Sequence, residues 1–225
     1  MRFLSSAALR DFRHAARSLA RRPGFVATAL ASLALGIGAN SAIFSVVDSA
    51  LLRPLPIPSP DRLIVIKEFK GAESSGGNPQ RMRDWATQVS ALQAAGGYYG
   101  ENLVWKGAGD PIRLQVARTF GDILAVLSVS PAIGRPFTTD EQRGLGNPVC
   151  ILSHAAWVRH FSEDPKVLGS AVHLTGGQFT VIGVMPAHLK YPEDVDLWSP
   201  GPAEVQNAAR SAGFLDTIGR LKSGA

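Results

Sequence analysis

Five histidines, one cysteine and three acidic clusters are the groups in this 225-residue chain that could do chemistry. His14, His154, His160, His173 and His188 belong to no HExxH and no Cys/His zinc pattern. His154 and His160 share one predicted helix, but six residues apart they face different directions. They read as surface or half-buried histidines rather than ligands. The acids fall at Asp140-Glu141, at Glu163-Asp164 and in "EDVD" at 193–196. General acid/base catalysis needs a carboxylate in a perturbing environment, whereas adjacent acids on loops are usually solvated. Cys150 sits in the apolar run "PVCILS" and reads as a buried strand residue. There is no GxSxG elbow and no phosphate-binding GxxxxGK[ST] loop. "GIG" at 36–38 lies inside an apolar run and is no dinucleotide loop. No residue is therefore assigned a catalytic, cofactor-binding or metal-binding role.

The most informative stretch is that apolar run. No charge occurs from Pro23 to Val47, 25 residues, and a bilayer's hydrocarbon needs about 20. Its polar members, among them Thr28, Ser32 and Ser45, are small and can return hydrogen bonds to the helix backbone. A transmembrane helix is expected over 23–52. A stretch from Phe25 to Leu52 would rise about 42 Å, so it should tilt or project, most readily at its Asp48 end. A cleaved secretion signal has a shorter apolar region, about 7–15 residues.

Arginines dominate the segment before the run: Arg2, Arg10, Arg13, Arg17, Arg21 and Arg22 against Asp11 alone. Basic flanks remain cytoplasmic, which places the N-terminus inside and residues after about 53 outside. Leu9, Phe12, Ala16 and Leu19 follow one helical face; Arg10, Arg13, Arg17 and Arg21 follow another. Residues 1–22 thus read as a basic amphipathic helix on the inner membrane surface, against anionic lipid. Within the span, Ala27, Ala31, Ala34, Gly38, Ser41, Ser45 and Ser49 recur every three or four residues. A stripe of small residues lets helix backbones approach closely in lipid, so partner membrane helices are expected.

Residues 1–53 hold seven arginines and two aspartates, leaving 16 basic and 16 acidic residues in 54–225. The net charge of +5 is thus wholly the membrane-flanking signal. The large domain has no electrostatic footprint for nucleic acid. With one cysteine it has no internal disulfide and must rely on packing, which suits a bacterial periplasm or another extracytoplasmic face.

Its pattern is α+β. "DRLIVIKE" (61–68) reads as a strand. Residues 78–95 read as a helix capped by Asn78, with Met82, Trp85, Val89 and Leu92 buried. "NLVWKG" and "IRLQVAR" read as a hairpin around "GAGDP". "GDILAVLSV" reads as a short helix stopped by Pro131, "NPVCILS" as a buried strand, and "SHAAWVRHF" as a helix capped by Ser153. Two alternating runs flank Gly176-Gly177, which should supply the positive φ of a tight turn. "GFLDTIGRLKSGA" reads as the start of a further strand.

Several of these stretches together resemble one family. "DFRHAARSLARRPGFVATALASLALGIGANSAIFSVVDSALLRPLP", "RMRDWATQVSALQAAGGY", "LSVSPAIGRPFTTDE", "PVCILSHAAWVRHFSEDPKVLGSAVHLTGGQFTVIGVMP" and "IGRLKSG" match, in order and spacing, the acidobacterial-type permeases of the MacB/FtsX-like class of ABC transporters. The likeness covers nearly the whole chain. It implies an α+β fold with a two-lobed MacB-like periplasmic core domain over 53–225. About 54–105 would start a porter-like lobe, 106–210 would hold an inserted β-rich lobe, and 211–225 would return to the first. Ser128 stands where the family usually has a glycine. The resemblance also implies a separate cytoplasmic ABC ATPase, partner permease helices and a homodimer, in the bacterial inner membrane, with no catalysis by the domain itself. The further helices of a family permease and any ATPase motif are lacking, so the chain is expected to be a permease fragment that couples an ATPase to periplasmic export or mechanotransmission. The competing reading is a single-span anchored binding or sensing module. An exported enzyme held by its signal has nothing in the residues to support it.

Overall fold

A computed structural model describes residues 21–47, 57–70, 73–107 and 110–225. The chain divides into two compact units, Met1–Pro54 and Leu55–Ala225. In the first, one helix, α1, runs Pro23–Val47, the uncharged run itself. Residues 1–20 of the expected amphipathic helix and 48–52 of the expected span lie outside the described residues.

The second unit starts with β1 (Leu63–Ile66), β2 (Glu68–Lys70) and β3 (Glu73–Ser75). Then come α2 (Pro79–Gln88), β4 (Leu92–Trp105), β5 (Ile112–Gly121) and α3 (Ile123–Leu127). β6 (Ile133–Gly134), α4 (Thr139–Gln142), β7 (Val149–Leu152) and α5 (His154–Phe161) follow. The last are β8 (Ala171–Leu174), β9 (Gly177–Val184), β10 (Leu197–Pro200), α6 (Ala203–Gln206) and β11 (Asp216–Leu221). β2 and β3 form a small separate ribbon.

The main sheet has nine strands, in the order β1-β11-β4-β5-β10-β7-β9-β6, with β8 beside β9. Pairs β5–β10 and β7–β9 are parallel; the others are antiparallel. β8 also reaches back to β4. Trp105 pairs with Leu174, Lys106 N donates to His173 O at 2.9 Å, and Thr175 N donates to Val104 O at 3.0 Å. Strands β4-β5-β10-β7-β9-β8 therefore close into a ring. Its interior is filled by Leu103, Leu114, Val116, Cys150, Val181 and Leu197, among others. Closure removes the unpaired edges that an open sheet would leave. A second core, with Ile123, Leu127, Ile151 and Trp198, lies on the other face of the sheet. A third, with Met82, Leu92 and Phe120, lies under α2.

Local chemistry explains the helix starts. Asn78 Oδ1 accepts from Gln80 N and Arg81 N, and Pro79 fills the first turn. Ser153 Oγ accepts from Ala156 N at 3.1 Å, as the sequence predicts. Thr138 and Glu141 form a capping box at α4. α3 ends where Ser128 adopts a left-handed conformation, φ 53°, so the turn keeps the geometry a glycine would take. It ends there rather than at Pro131.

Three expectations need correction. The helix predicted over 78–95 stops at Gln88, because Leu92–Tyr98 pairs with β11 instead. Leu92 is buried, but from a strand, and Val89, also expected to be buried, is 42% exposed. At the β8–β9 turn only Gly177 takes positive φ; Thr175 and Gly176 form the loop. Strand β10, wholly buried between β5 and β7, had no counterpart in the sequence reading.

Candidate functional site

In α1, Ala27, Ala31, Ala34, Gly38, Ser41 and Ser45 are all exposed. At 100° per residue they fall within about 40° of one line along the helix. Side chains added at Gly36 or Gly38 would meet nothing within 4 Å. The rest of the helix exposes Phe25, Leu30, Leu33, Leu35, Ile37, Ile43 and Phe44. An 18-residue window within Pro23–Ser45 has a mean hydropathy of 1.6, and none of its residues is buried. Arg21 and Arg22 are exposed just before the helix; Arg10, Arg13 and Arg17 lie outside the described residues.

In the second unit the acids hold structure together. Glu141 closes the α4 capping box and accepts from both terminal nitrogens of Arg135, at 2.7 and 2.8 Å. Arg135 holds the Glu141 carboxyl below its ordinary pKa. Asp164 accepts from Lys166 N at 2.9 Å and starts a short 3-10 turn. Asp196 accepts from Gln115 N at 2.9 Å and meets Arg159 at 3.4 Å. Cys150 is buried inside the ring, and burial pushes its thiol pKa to about 12. His160 packs edge-on to Trp105, with ring centres 5.7 Å apart. Among the described residues no group of three or more His, Cys, Asp and Glu is placed to hold a metal.

The sequence reading missed two buried arginines. Arg118 lies on β5 with its guanidinium 5.0 Å from the centre of the Phe179 ring. Its Nε donates to Glu101 Oε2 at 2.7 Å and its Nη1 to Ser199 Oγ at 3.3 Å. It lines a cleft of about 200 Å³ at the end of the ring where β7 and β9 begin and β10 ends. Arg220 on β11 donates through Nε to Val126 O and through Nη1 to Ser59 O at 3.2 Å. Arg62, beside β1, donates in return to Leu221 O and to Gln93 Oε1. Burial and the nearby Arg62 lower the pKa of Arg220. Period 2 was the available signal. Arg118 continues the buried alternation Leu114–Val116, and Arg220 follows Ile218 on the buried face.

A second cleft, of about 640 Å³, lies beside α5 and is floored by Trp198. The indole Nε1 of Trp198 is buried without a partner.

The model of the MacB-like periplasmic core domain matches residues 26–225. The fold is similar to the periplasmic region of MacB from Actinobacillus actinomycetemcomitans, at TM-score 0.57 and 16% identity, over 75% of this chain and 78% of that one. It is also similar to the extracellular domain of the ABC-type transporter YknZ from Gram-positive bacteria, at TM-score 0.50 and 14% identity, over 72% and 83%. At these identities the likeness concerns the fold. None of the curated proteins matches.

Proposed function

This chain belongs to the family of MacB-like periplasmic core domains, found in permeases of ABC-type transporters, and on that premise we propose that it is part of a permease subunit coupling a cytoplasmic ABC ATPase to extracytoplasmic export or mechanotransmission. The observation that carries this reading is the extent of the family match. It begins at residue 26, inside α1, and runs to residue 225. Apolar helix and β-rich unit are thus parts of one inherited pattern rather than a domain behind an incidental leader. In this reading α1 anchors the chain in the bacterial inner membrane. The arginine-rich N-terminus is cytoplasmic, and residues after about 53 are periplasmic. Hydrolysis of ATP resides on a separate subunit.

The second unit supports a mechanical role. β1 and β11 are antiparallel neighbours, Leu63 opposite Arg220. The start of β1 and the end of β11 therefore lie at the same end of the sheet. Arg62 reaches from the entry to β11, and Arg220 reaches from β11 to the entry. Each bonds carbonyls of the other segment, so a displacement of one is passed to the other. We assign the porter-like lobe to β1, β11, α2 and the first half of β4. The inserted lobe corresponds to the ring, and the long strand β4 joins them.

Partner helices, including those of a second copy in a homodimer, would pack on the small-residue stripe of α1. The test is affinity purification of the full-length protein from membranes of its host, with identification of any bound ABC ATPase and measurement of its ATP turnover. An ATPase that co-purifies, and whose turnover changes when the permease is removed, is the expected outcome. Absence of an ATPase from the purified material overturns the coupling role and favours an anchored binding module.

A further inference from the structure

We propose that the open end of the β ring is a binding site for a carboxylate carried on a group of amino-acid size. Arg118 is about nine-tenths buried and is already paired with Glu101 at 2.7 Å. A guanidinium carries five N–H donors. Among the described residues, Glu101 takes Nε, Ser199 takes one donor of Nη1, and Nη2 has no partner. The unused donors are one on Nη1 and two on Nη2, the terminal nitrogens of the guanidinium fork, which can meet a carboxylate.

The surroundings keep that fork open. A Cβ added at Gly176 would come 3.3 Å from Nη2. Phe179 supports the guanidinium from one side, and β10 and its Pro200–Pro202 extension form another wall. Small barrels offer ligand sites at their mouths, and the rest of this interior is packed with side chains. A cleft of about 200 Å³ has room for a small group of several non-hydrogen atoms. That is a small amino acid, free or at the end of a chain. The carboxylates of Glu141 and Glu204 also line the cleft. Glu141 is already paired with Arg135, and Glu204 opposes a dianion such as phosphate more than a single carboxylate. Half-exposed Leu145 at the rim offers apolar contact. The shared chemistry is the terminal carboxylate; its source is a free amino acid or a polypeptide C-terminus.

The experiment is calorimetric titration of the full chain in detergent micelles. The probes are the tripeptide Ala-Gly-Gly, its C-terminal amide, glycine and inorganic phosphate. The acid should bind with a millimolar Kd and the amide at least about tenfold more weakly, a difference of about 1.4 kcal/mol. Arg118→Lys keeps the charge but not the fork and should weaken the acid by about tenfold. Gly176→Ala, which crowds Nη2 without altering charge, should weaken it too. It decides the matter if Arg118→Lys unfolds. Glycine binding as tightly as the tripeptide identifies a free amino acid, and tripeptide binding alone identifies a chain end. Equal binding of acid and amide, tighter binding of phosphate, or no binding at on the order of 10 mM overturns the site.

Discussion

Phe25 in α1 is 66% exposed, whereas Phe120 in β5 is completely buried. The contrast extends to whole regions. α1 shows apolar side chains all round, with no polar face to turn to water. The β-rich unit hides most of its large apolar residues in three cores and balances its charges. A large side chain left in water forgoes about 1.5–3 kcal/mol of burial, and α1 leaves seven of them exposed. On the function proposed above, lipid is the solvent of α1. One solvent selects composition without pattern; the other selects pattern, with period 2 in strands and period 3.6 in helices.

The largest expected effect of breaking this contrast is in the packed region. Phe120 touches Tyr99 and Phe214, with ring centres 5.8 and 6.2 Å away. Phe120→Ala should destabilise the β-rich unit by about 3–5 kcal/mol, read by denaturant unfolding of the full chain in micelles. Phe25→Ala should leave that unfolding midpoint unchanged. Equal losses from both substitutions would mean that α1 contributes to the folded core and that the two-solvent picture is wrong.

A charge placed in α1 should matter next most. Leu35→Arg should reduce membrane insertion by about 2.5–3.5 kcal/mol, measured as the inserted fraction in a translocation assay. A milder change probes the stripe. Gly38→Leu should weaken association with partner helices more than Leu35→Ala does, measured by cross-linking in membranes. Identical cross-linking in both variants would remove the stripe's role.

Asn78 follows, at about 1–3 kcal/mol. It caps α2 through Oδ1, and its Nδ2 donates to Ala209 O and Ala212 O, both at 2.9 Å. Asn78→Ala strands buried groups at both ends. Asn78→Asp keeps the cap but turns a carboxylate toward two carbonyls, so it should be no better than alanine. Recovery by aspartate would show that only the cap matters.

Signals confined to a few residues were legible in the sequence: the uncharged run of α1, the Asn78 and Ser153 caps, the buried run Val149–Leu152 and the β8–β9 hairpin. What was not legible depended on distant partners. Residues 89–95 continue the helical spacing of Met82 and Trp85, yet Leu92–Tyr98 is claimed by β11, more than a hundred residues away. Gly96 and Gly97 allow that claim, because a Cβ there would press on Ile123 and on Leu215. β10 is four residues long and ends on proline, too short to show a period, and the flanking strands alone make it a strand. Arg118 was within reach, since it occupies a buried position in an alternating strand. The cleft it lines was not, because four separate segments build that cleft.

The smallest effect concerns His160 and sharpens the contrast from the polar side of the packed region. Burial lowers its pKa; Asp196 opposes the shift and Arg159 adds to it. Its Nε2 is buried without a partner, and its ring stands edge-on to Trp105. The folded state therefore favours the neutral ring. Above the unfolded value of about 6.5 both states are neutral, and the histidine contributes nothing that depends on pH. As pH falls below that value the unfolded chain takes up the proton first, so stability declines until the folded pKa is passed. The unfolding midpoint should fall on acidification from pH 7 toward pH 5, and His160→Phe should remove that part of the slope. A cation held over the Trp105 face would act in the opposite direction, but the two rings meet at 73°. A wild-type midpoint that rises relative to His160→Phe on acidification would show that the aromatic contact outweighs the burial.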